Sequence, residues 1–279
     1  MPRTLKSLKT PLRYPGGKSR ALANLFRFLP DLSQAKEYRE PFLGGGSVAI
    51  EVTKRYPNLP IWVNDLYTPL YLFWTALRDD GNYLYDQLIQ LKQRHPDPGS
   101  AKQLFLDAKE KVNDDDIGYK DKAVAFYIIN KCSFSGLTES SSFSPQASES
   151  NFSIRGIENL KTYSILIKNW KITNNNYNDL LTNDESIVTY LDPPYEIKSN
   201  LYGKKGNMHK GFDHDGFATL CDQFDGHQLI SYNSSQLIRD RFKEWTVSEF
   251  AHTYTMRSVG CYNKVQASRK ELVLFNYEV

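Results

Sequence analysis

The sequence predicts an α/β fold in which a helical block interrupts the sheet, and three observations carry that prediction. Short runs rich in β-branched and aromatic residues occur at 61–64 (IWVN), 187–191 (IVTYL), 228–232 (QLISY) and 271–277 (ELVLFNY), the lengths and composition of strands. Segments with three- and four-residue apolar spacing separate them. From about 68 to 131 that spacing continues without a convincing strand, so a helical insertion divides the early sheet from the late one.

Taken in order, the first element is the turn in "RYPGGKSR" at 13–20. Gly17-Lys18-Ser19 has the form of the end of a phosphate-binding loop, but the glycine that opens such a loop is replaced by Leu12. The backbone cradle for a triphosphate is therefore missing. Ser19 is expected to cap a helix through Leu22, Leu25, Phe26 and Leu29.

"EPFLGGGSVAIEV" at 40–52 follows. Gly44-x-Gly46-x-x-Ala49 fits the fingerprint of a dinucleotide site, and Asp65 stands about twenty residues further on, where an acid grips ribose hydroxyls. This pairing serves NAD and S-adenosylmethionine equally, because both present an adenosine. The helical block comes next in "LYLFWTALRD", "YLYDQLIQLKQR", "AKQLFLDAKEKV" and "DKAVAFYIINKC", followed by a Ser-rich stretch at 133–150.

"YLDPPYE" at 190–196 separates the two cofactors. A strand delivers Asp192-Pro193-Pro194-Tyr195 to the rim where open α/β sheets bind ligands. Proline carries no N–H and leaves carbonyl acceptors pointing outward. An exocyclic amine can donate one hydrogen to the Asp192 carboxylate and another to a proline carbonyl while Tyr195 stacks on its ring. A hydride-transfer enzyme has no use for this tetrad.

Composition narrows the class. The chain has 279 residues and net charge +3, a size that predicts one large domain with an insertion or two unequal domains. It has no apolar run of membrane-spanning length, and "MPRTLKSLKT" lacks a secretory core, so a cytoplasmic protein is expected. Cys132, Cys221 and Cys261 form no Cys-x-x-Cys and the five histidines lack ligand spacing; no metal site is expected. Charge is unevenly spread. Residues 1–39 hold nine Lys or Arg against Asp31 and Glu37, and the stretches at 198–210 and 257–270 contain no acid. Such clusters suit phosphates.

Together these motifs resemble the Dam-type, D12-class DNA adenine-N6 methyltransferases, over nearly the whole chain and in family order. The matching segments are "RYPGGK", "EPFLGGGS", "VND", "NNNYND" at 174–179, "DPPY", "ISYNSS" at 230–235 and "NKVQASRKELVLFNY" at 263–277. The resemblance implies a Rossmann-like S-adenosylmethionine-dependent methyltransferase sheet, with catalytic parts at 1–67 and 168–279 and a helical target-recognition domain at 68–167. It implies site-specific methylation of adenine N6 in double-stranded DNA, by base flipping and direct displacement, in a monomer without metal.

By the same resemblance Tyr14, Pro15, Gly16, Gly17 and Lys18 lie along the cofactor, Phe42 packs against it, Gly44 and Gly46 pass under it, and Asp65 binds its ribose. Lys18 neutralises a carboxylate or contacts the cofactor. Asn176, Tyr177 and Asp179 are alternatives for the cofactor adenine, since Asn176 stands where relatives often carry an acid. Asp192, Pro193, Pro194 and Tyr195 receive the flipped adenine. DNA contacts are expected from Arg13, Lys131, Ser135, Thr138, Asn151, Arg155, Lys198, Lys204, Lys205 and Arg257. The recognition loop departs from the family, being Ser-rich where relatives carry arginine and asparagine. An NAD-linked oxidoreductase and a non-catalytic DNA-binding module are the alternative readings.

Overall fold

The structure, a computed structural model, describes residues 8–134, 136, 141–196, 211–252 and 269–278. Seven strands, β1 (Glu37–Glu40), β2 (Ile61–Asn64), β3 (Lys171–Thr173), β4 (Ile187–Leu191), β5 (His227–Asn233), β6 (Thr246–His252) and β7 (Arg269–Phe275), form one sheet in the order β3-β2-β1-β4-β5-β7-β6. The first five positions are parallel, and β7 runs antiparallel to both β5 and β6. The four expected strand runs are all present. Strand order reverses between β1 and β4, which makes that junction the switch point where α/β sheets open a crevice. "EPFLGGGS" leaves the end of β1 and "DPPY" leaves the end of β4, so the topology brings the two motifs together.

Nine helices accompany the sheet among the described residues: α1 (Leu22–Leu25), α2 (Ser47–Arg55), α3 (Thr68–Arg94), α4 (Pro98–Lys111), α5 (Tyr119–Cys132), α6 (Pro145–Ser150), α7 (Ile154–Leu166), α8 (His214–Cys221) and α9 (Gln236–Arg241). The expected helical block is α3 to α5. Its first two segments join into α3 across a kink at Asp80 (φ −150°, ψ 65°). There the Asp80 carboxylate accepts the Tyr83 N–H at 3.1 Å and restarts the helix as an N-cap does, while its other oxygen accepts from Lys120 on α5 at 2.7 Å. The Ser-rich stretch is partly ordered: Ser133 bridges Phe143, and Ser144 caps α6 by accepting the Ala147 N–H.

Strand alternation divides the core. Tyr38, Tyr190, Leu229, Val273 and Phe275 face the cluster shared with α2, α3, α5 and α7. Leu191, Ile230, Tyr232, Leu272 and Leu274 face the smaller cluster with α8 and α9. By the two-residue period, Glu40, Asp192, Ser231 and Glu271 share the first face. Polar groups therefore cross the ends of four adjacent strands, β1, β4, β5 and β7, above an apolar layer.

Candidate active site

Lys18 lies over this polar row. Gly17 N–H closes a turn on the Tyr14 carbonyl at 3.1 Å, and Lys18 begins a single 3-10 turn, Lys18–Arg20. Ser19 sits inside that turn and Gly17 at its N-cap, with no side-chain cap, so the expected Ser19 cap is corrected. The Lys18 ammonium is buried and donates to both carboxylate oxygens of Asp192 at 2.7 Å, to the Gly16 carbonyl at 3.0 Å, and lies 3.4 Å from Glu271 Oε1. Ser231 Oγ donates to Asp192 Oδ1 at 3.0 Å and is 2.8 Å from the Tyr190 hydroxyl.

Electrostatics follow from this burial. Desolvation raises the Asp192 carboxyl above the usual carboxylate range; Lys18 pulls it back and Glu271 adds to the rise. Burial works against the Lys18 ammonium, but Asp192 and Glu271 outweigh it and hold the group above its ordinary value. Glu40, hydrogen-bonded to the Tyr38 hydroxyl at 3.1 Å, is pushed well up, first by burial.

In front of the row is a cavity of about 380 Å³, a size typical of small-molecule sites. Tyr14, Pro15, Gly16, Gly17, Lys18, Phe42, Gly44, Gly46, Asp65, Asn176, Tyr177, Asp192 and Pro194 all line it. Segments 14–18, 40–48, 64–67 and 176–177, distant in sequence, thus meet at one opening. Asp179 is exposed and does not line the wall. Pro193 and Tyr195 do not line this cavity; the Tyr195 hydroxyl donates to Glu271 Oε1 at 2.5 Å.

The glycines have a packing reason beyond ligand access. Gly44 and Gly46 hold φ of +50° and +66°, and added Cβ atoms would sit 2.9 Å from the Tyr14 ring and 2.8 Å from the Trp74 indole. Trp74 also donates its indole N–H to the Gly44 carbonyl at 3.1 Å. Gly46→Ala is expected to destabilise the fold by about 1–3 kcal/mol, read as a lower denaturation midpoint.

Asp65 is fixed from both sides. Oδ2 accepts the Gly44 N–H at 2.9 Å and Oδ1 the Tyr67 N–H at 3.0 Å. Two lone-pair sites stay available. Burial raises its carboxyl to about 6 against these two bonds. Asn64 ties the same rim together, donating to the Pro41 and Asn175 carbonyls at 3.1 and 3.0 Å. Tyr177 is thereby brought against Phe42, with ring centroids 5.3 Å apart, and Phe212 closes on Phe42 at 5.8 Å. Glu40, Asn64, Ser231 and Glu271 lie within the quoted motifs but were not among the expected site residues, and Phe212 lies outside every motif.

The expected DNA contacts scatter. Ser135, Thr138, Lys198, Lys204, Lys205 and Arg257 lie outside the described residues. Arg13 is turned inward, donating to the Ser133 and Phe134 carbonyls at 2.7 and 3.2 Å. Lys131 is buried, its ammonium pushed down to about 7 by desolvation and then by Arg13; the geometry does not present it to a duplex. Asn151 is half-buried at the end of α6, and Arg155 is exposed on α7. Asn130, which the motifs passed over, joins the insertion to the N-terminal turn: it accepts the Arg13 N–H at 3.0 Å and donates to the Arg13 and Gly136 carbonyls at 2.6 and 2.9 Å. Among the described residues no helix is long and apolar enough to cross a membrane, and no group of three or more His, Cys, Asp or Glu could hold a metal.

Comparison with known proteins agrees with the geometry. The sequence pattern of the D12-class N6 adenine-specific DNA methyltransferases matches residues 14–257. The chain is 28% identical over 202 residues to the type II methyltransferase M.MjaIII of Methanocaldococcus jannaschii, covering 68% of this chain and 70% of that protein. It is 21% identical over 279 residues to the type II methyltransferase M.CviBI of Paramecium bursaria Chlorella virus NC1A, covering 97% and 100%. It is 24% identical over 224 residues to a DNA adenine methylase of Vibrio cholerae, covering 78% and 76%. With a match spanning most of its length and the motifs gathered at one sheet rim, the chain belongs to the D12 class of N6 adenine-specific DNA methyltransferases.

Proposed function

We propose that the protein transfers a methyl group from S-adenosylmethionine to the N6 amine of adenine flipped out of double-stranded DNA. The observation that carries this reading is the pairing of buried Lys18 with half-buried Asp192 at the cavity between β1 and β4. It sets a carboxylate acceptor, with a proline carbonyl beside it, where an amine can donate two hydrogens. An NAD-linked oxidoreductase gives this pair no task.

The cavity fits the cofactor by donor set and shape. Asp65 has acceptor capacity for two ribose hydroxyls, the Phe42, Tyr177 and Phe212 rings form an apolar slot for adenine, and Lys18 with the Tyr14–Gly17 turn closes one end. Asn176 and Tyr177, on the wall, are the candidates for the adenine edge. When bound, S-adenosylmethionine supplies a methyl on a positively charged sulfur that is already a good leaving group. The chain supplies alignment: Asp192 and the carbonyl of Pro193 or Pro194 accept the amine hydrogens and favour a tetrahedral nitrogen whose lone pair is available. Positioning of this kind is worth about 7–11 kcal/mol. Base extrusion costs on the order of a few kcal/mol, offset in this scheme by Tyr195 and by phosphate contacts. The helices at 68–167 act as the target-recognition insertion, and Arg155 is its exposed cation among the residues proposed for DNA.

Asp65 makes a pH prediction. Its carboxyl titrates at about 6, and the ionised form is the one that accepts two ribose hydrogens. Cofactor affinity measured by calorimetry should therefore be full above that value and fall as pH drops through it, by about ten-fold at pH 5. Asp65→Asn should remove the dependence; a pH-independent wild-type affinity contradicts the assignment.

The function itself is tested with purified protein, unmethylated DNA and S-adenosylmethionine tritiated at the methyl. Tritium in the adenine of digested DNA is the expected result. Tritium left wholly in the cofactor, with nicotinamide reduction on added substrates, returns the oxidoreductase reading.

A further inference from the structure

Glu271 is fully buried near the start of β7, between β5 and β6, on the face that carries Ser231 and Asp192. A carboxylate in a sheet interior is costly unless other groups pair with it, and its partners come from two distant motifs. The Tyr195 hydroxyl donates to Oε1 at 2.5 Å, and Lys18 Nζ lies 3.4 Å from the same oxygen. Two further neighbours fix the Tyr195 ring: Lys18 Nζ lies over it at 4.9 Å from the centroid, and the Tyr232 ring is 5.6 Å away, tilted by 33°. Tyr195 follows two prolines on a segment that has already left β4. Its backbone sits in no ladder, and the Glu271 bond fixes the far end of its side chain.

We propose that Glu271 is a positioning residue: from the C-terminal hairpin it anchors the Tyr195 hydroxyl and so sets the ring that walls the target adenine. The proposal rests on the reading of Asp192–Tyr195 as the base-accepting segment. Glu271 touches neither the amine nor the methyl donor in this scheme. It acts through Tyr195, and it shares Lys18 with Asp192, so the wall and the acceptor are registered against one cation.

The test is a cycle of Tyr195→Phe, Glu271→Ala and the double variant, with Glu271→Gln as the conservative control. Methyl transfer to unmethylated plasmid DNA is resolved into kcat and KM, with cofactor Kd by calorimetry and the denaturation midpoint measured alongside. Tyr195→Phe and Glu271→Ala are each expected to lower kcat by about ten- to hundred-fold, with cofactor Kd unchanged. The double variant should be no worse than the worse single. Glu271→Gln, whose amide oxygen still accepts from Tyr195, should recover most of the loss. Multiplying losses, an unchanged kcat in Tyr195→Phe, or Glu271 variants that lower only the denaturation midpoint overturn the proposal. Should Glu271→Ala fail to fold, Tyr195→Phe and Glu271→Gln decide it by the same criteria. Wild-type protein that transfers no methyl to DNA removes the base-accepting reading and this proposal with it; active wild type with unaffected variants removes the proposal alone.

Discussion

Asp192→Asn should lower methyl transfer to DNA by about 10²–10³-fold while leaving the protein folded. The substitution keeps the shape of the side chain but replaces one acceptor oxygen with an NH₂ donor. Both Asp192 oxygens now accept from Lys18 at 2.7 Å, and Oδ1 also accepts from Ser231. An amide at this place turns a donor toward either the ammonium or the incoming amine, and neither arrangement supports two amine hydrogens. Loss confined to kcat, with DNA affinity retained, is the expected split, because in the proposed scheme the carboxylate acts on the reacting nitrogen and not on the phosphates. A non-catalytic DNA-binding module predicts no methyl transfer to lose, so measurable wild-type transfer together with its loss in the variant separates the two readings.

Lys18→Ala should have the largest effect on both stability and activity. It removes the cation that lies between two carboxylates, Asp192 and Glu271, in a site where Lys18 itself is only 2% exposed. Deleting one partner of a buried pair costs about 3–5 kcal/mol. The sign with pH follows from the remaining acids. Without Lys18, the Asp192 carboxyl rises further above its unfolded value, so the variant is stabilised where that group is protonated and loses stability as pH rises and it ionises. Urea denaturation at pH 5 and pH 8 should therefore show a deficit against wild type that widens at the higher pH. Activity moves the opposite way, since the acceptor works ionised: the residual rate should recover as pH rises, with the acidic limb displaced upward from that of wild type. A Lys18→Ala protein as stable as wild type at pH 8 contradicts the pairing.

Much of this site was legible because two motifs carry their chemistry in consecutive residues. "EPFLGGG" and "DPPY" announce strand ends by composition, and the switch-point topology then forces them together. The N-terminal turn is legible as an incomplete phosphate loop, but the sequence does not choose between a carboxylate and the cofactor for Lys18; in the folded chain Lys18 pairs with Asp192 and also lines the cavity. β1 is hard to read because "EYRE" alternates half-buried Glu37 and Arg39 with buried Tyr38 and Glu40, a charged pattern that composition reads as loop although it forms an interior strand of the sheet. β3 has three residues and β6 lies at the opposite edge with Ser248 and Glu249 in its run. Neither has the apolar density on which strand recognition depends.

Glu271 illustrates the other limit. It heads the apolar run "ELVLF", where composition alone marks only a strand, yet an acid facing the interior of a sheet demands partners. That demand is a usable signal. Lys131 shows the reverse: a lysine beside the Ser-rich segment reads as a phosphate contact, whereas the C-terminal half of α5 is buried all round, from Ala123 to Cys132, and takes Lys131 in beside Arg13. Charge in a sequence does not say which way a side chain faces.

The proposed methylation of adenine N6 is tested most directly on DNA from a host that lacks adenine methylation and expresses the protein. Nucleoside mass spectrometry and methylation-sensitive sequencing should find N6-methyladenine in one sequence context, and none when Asp192→Asn replaces wild type. DNA free of N6-methyladenine despite folded, cofactor-binding protein would contradict the account.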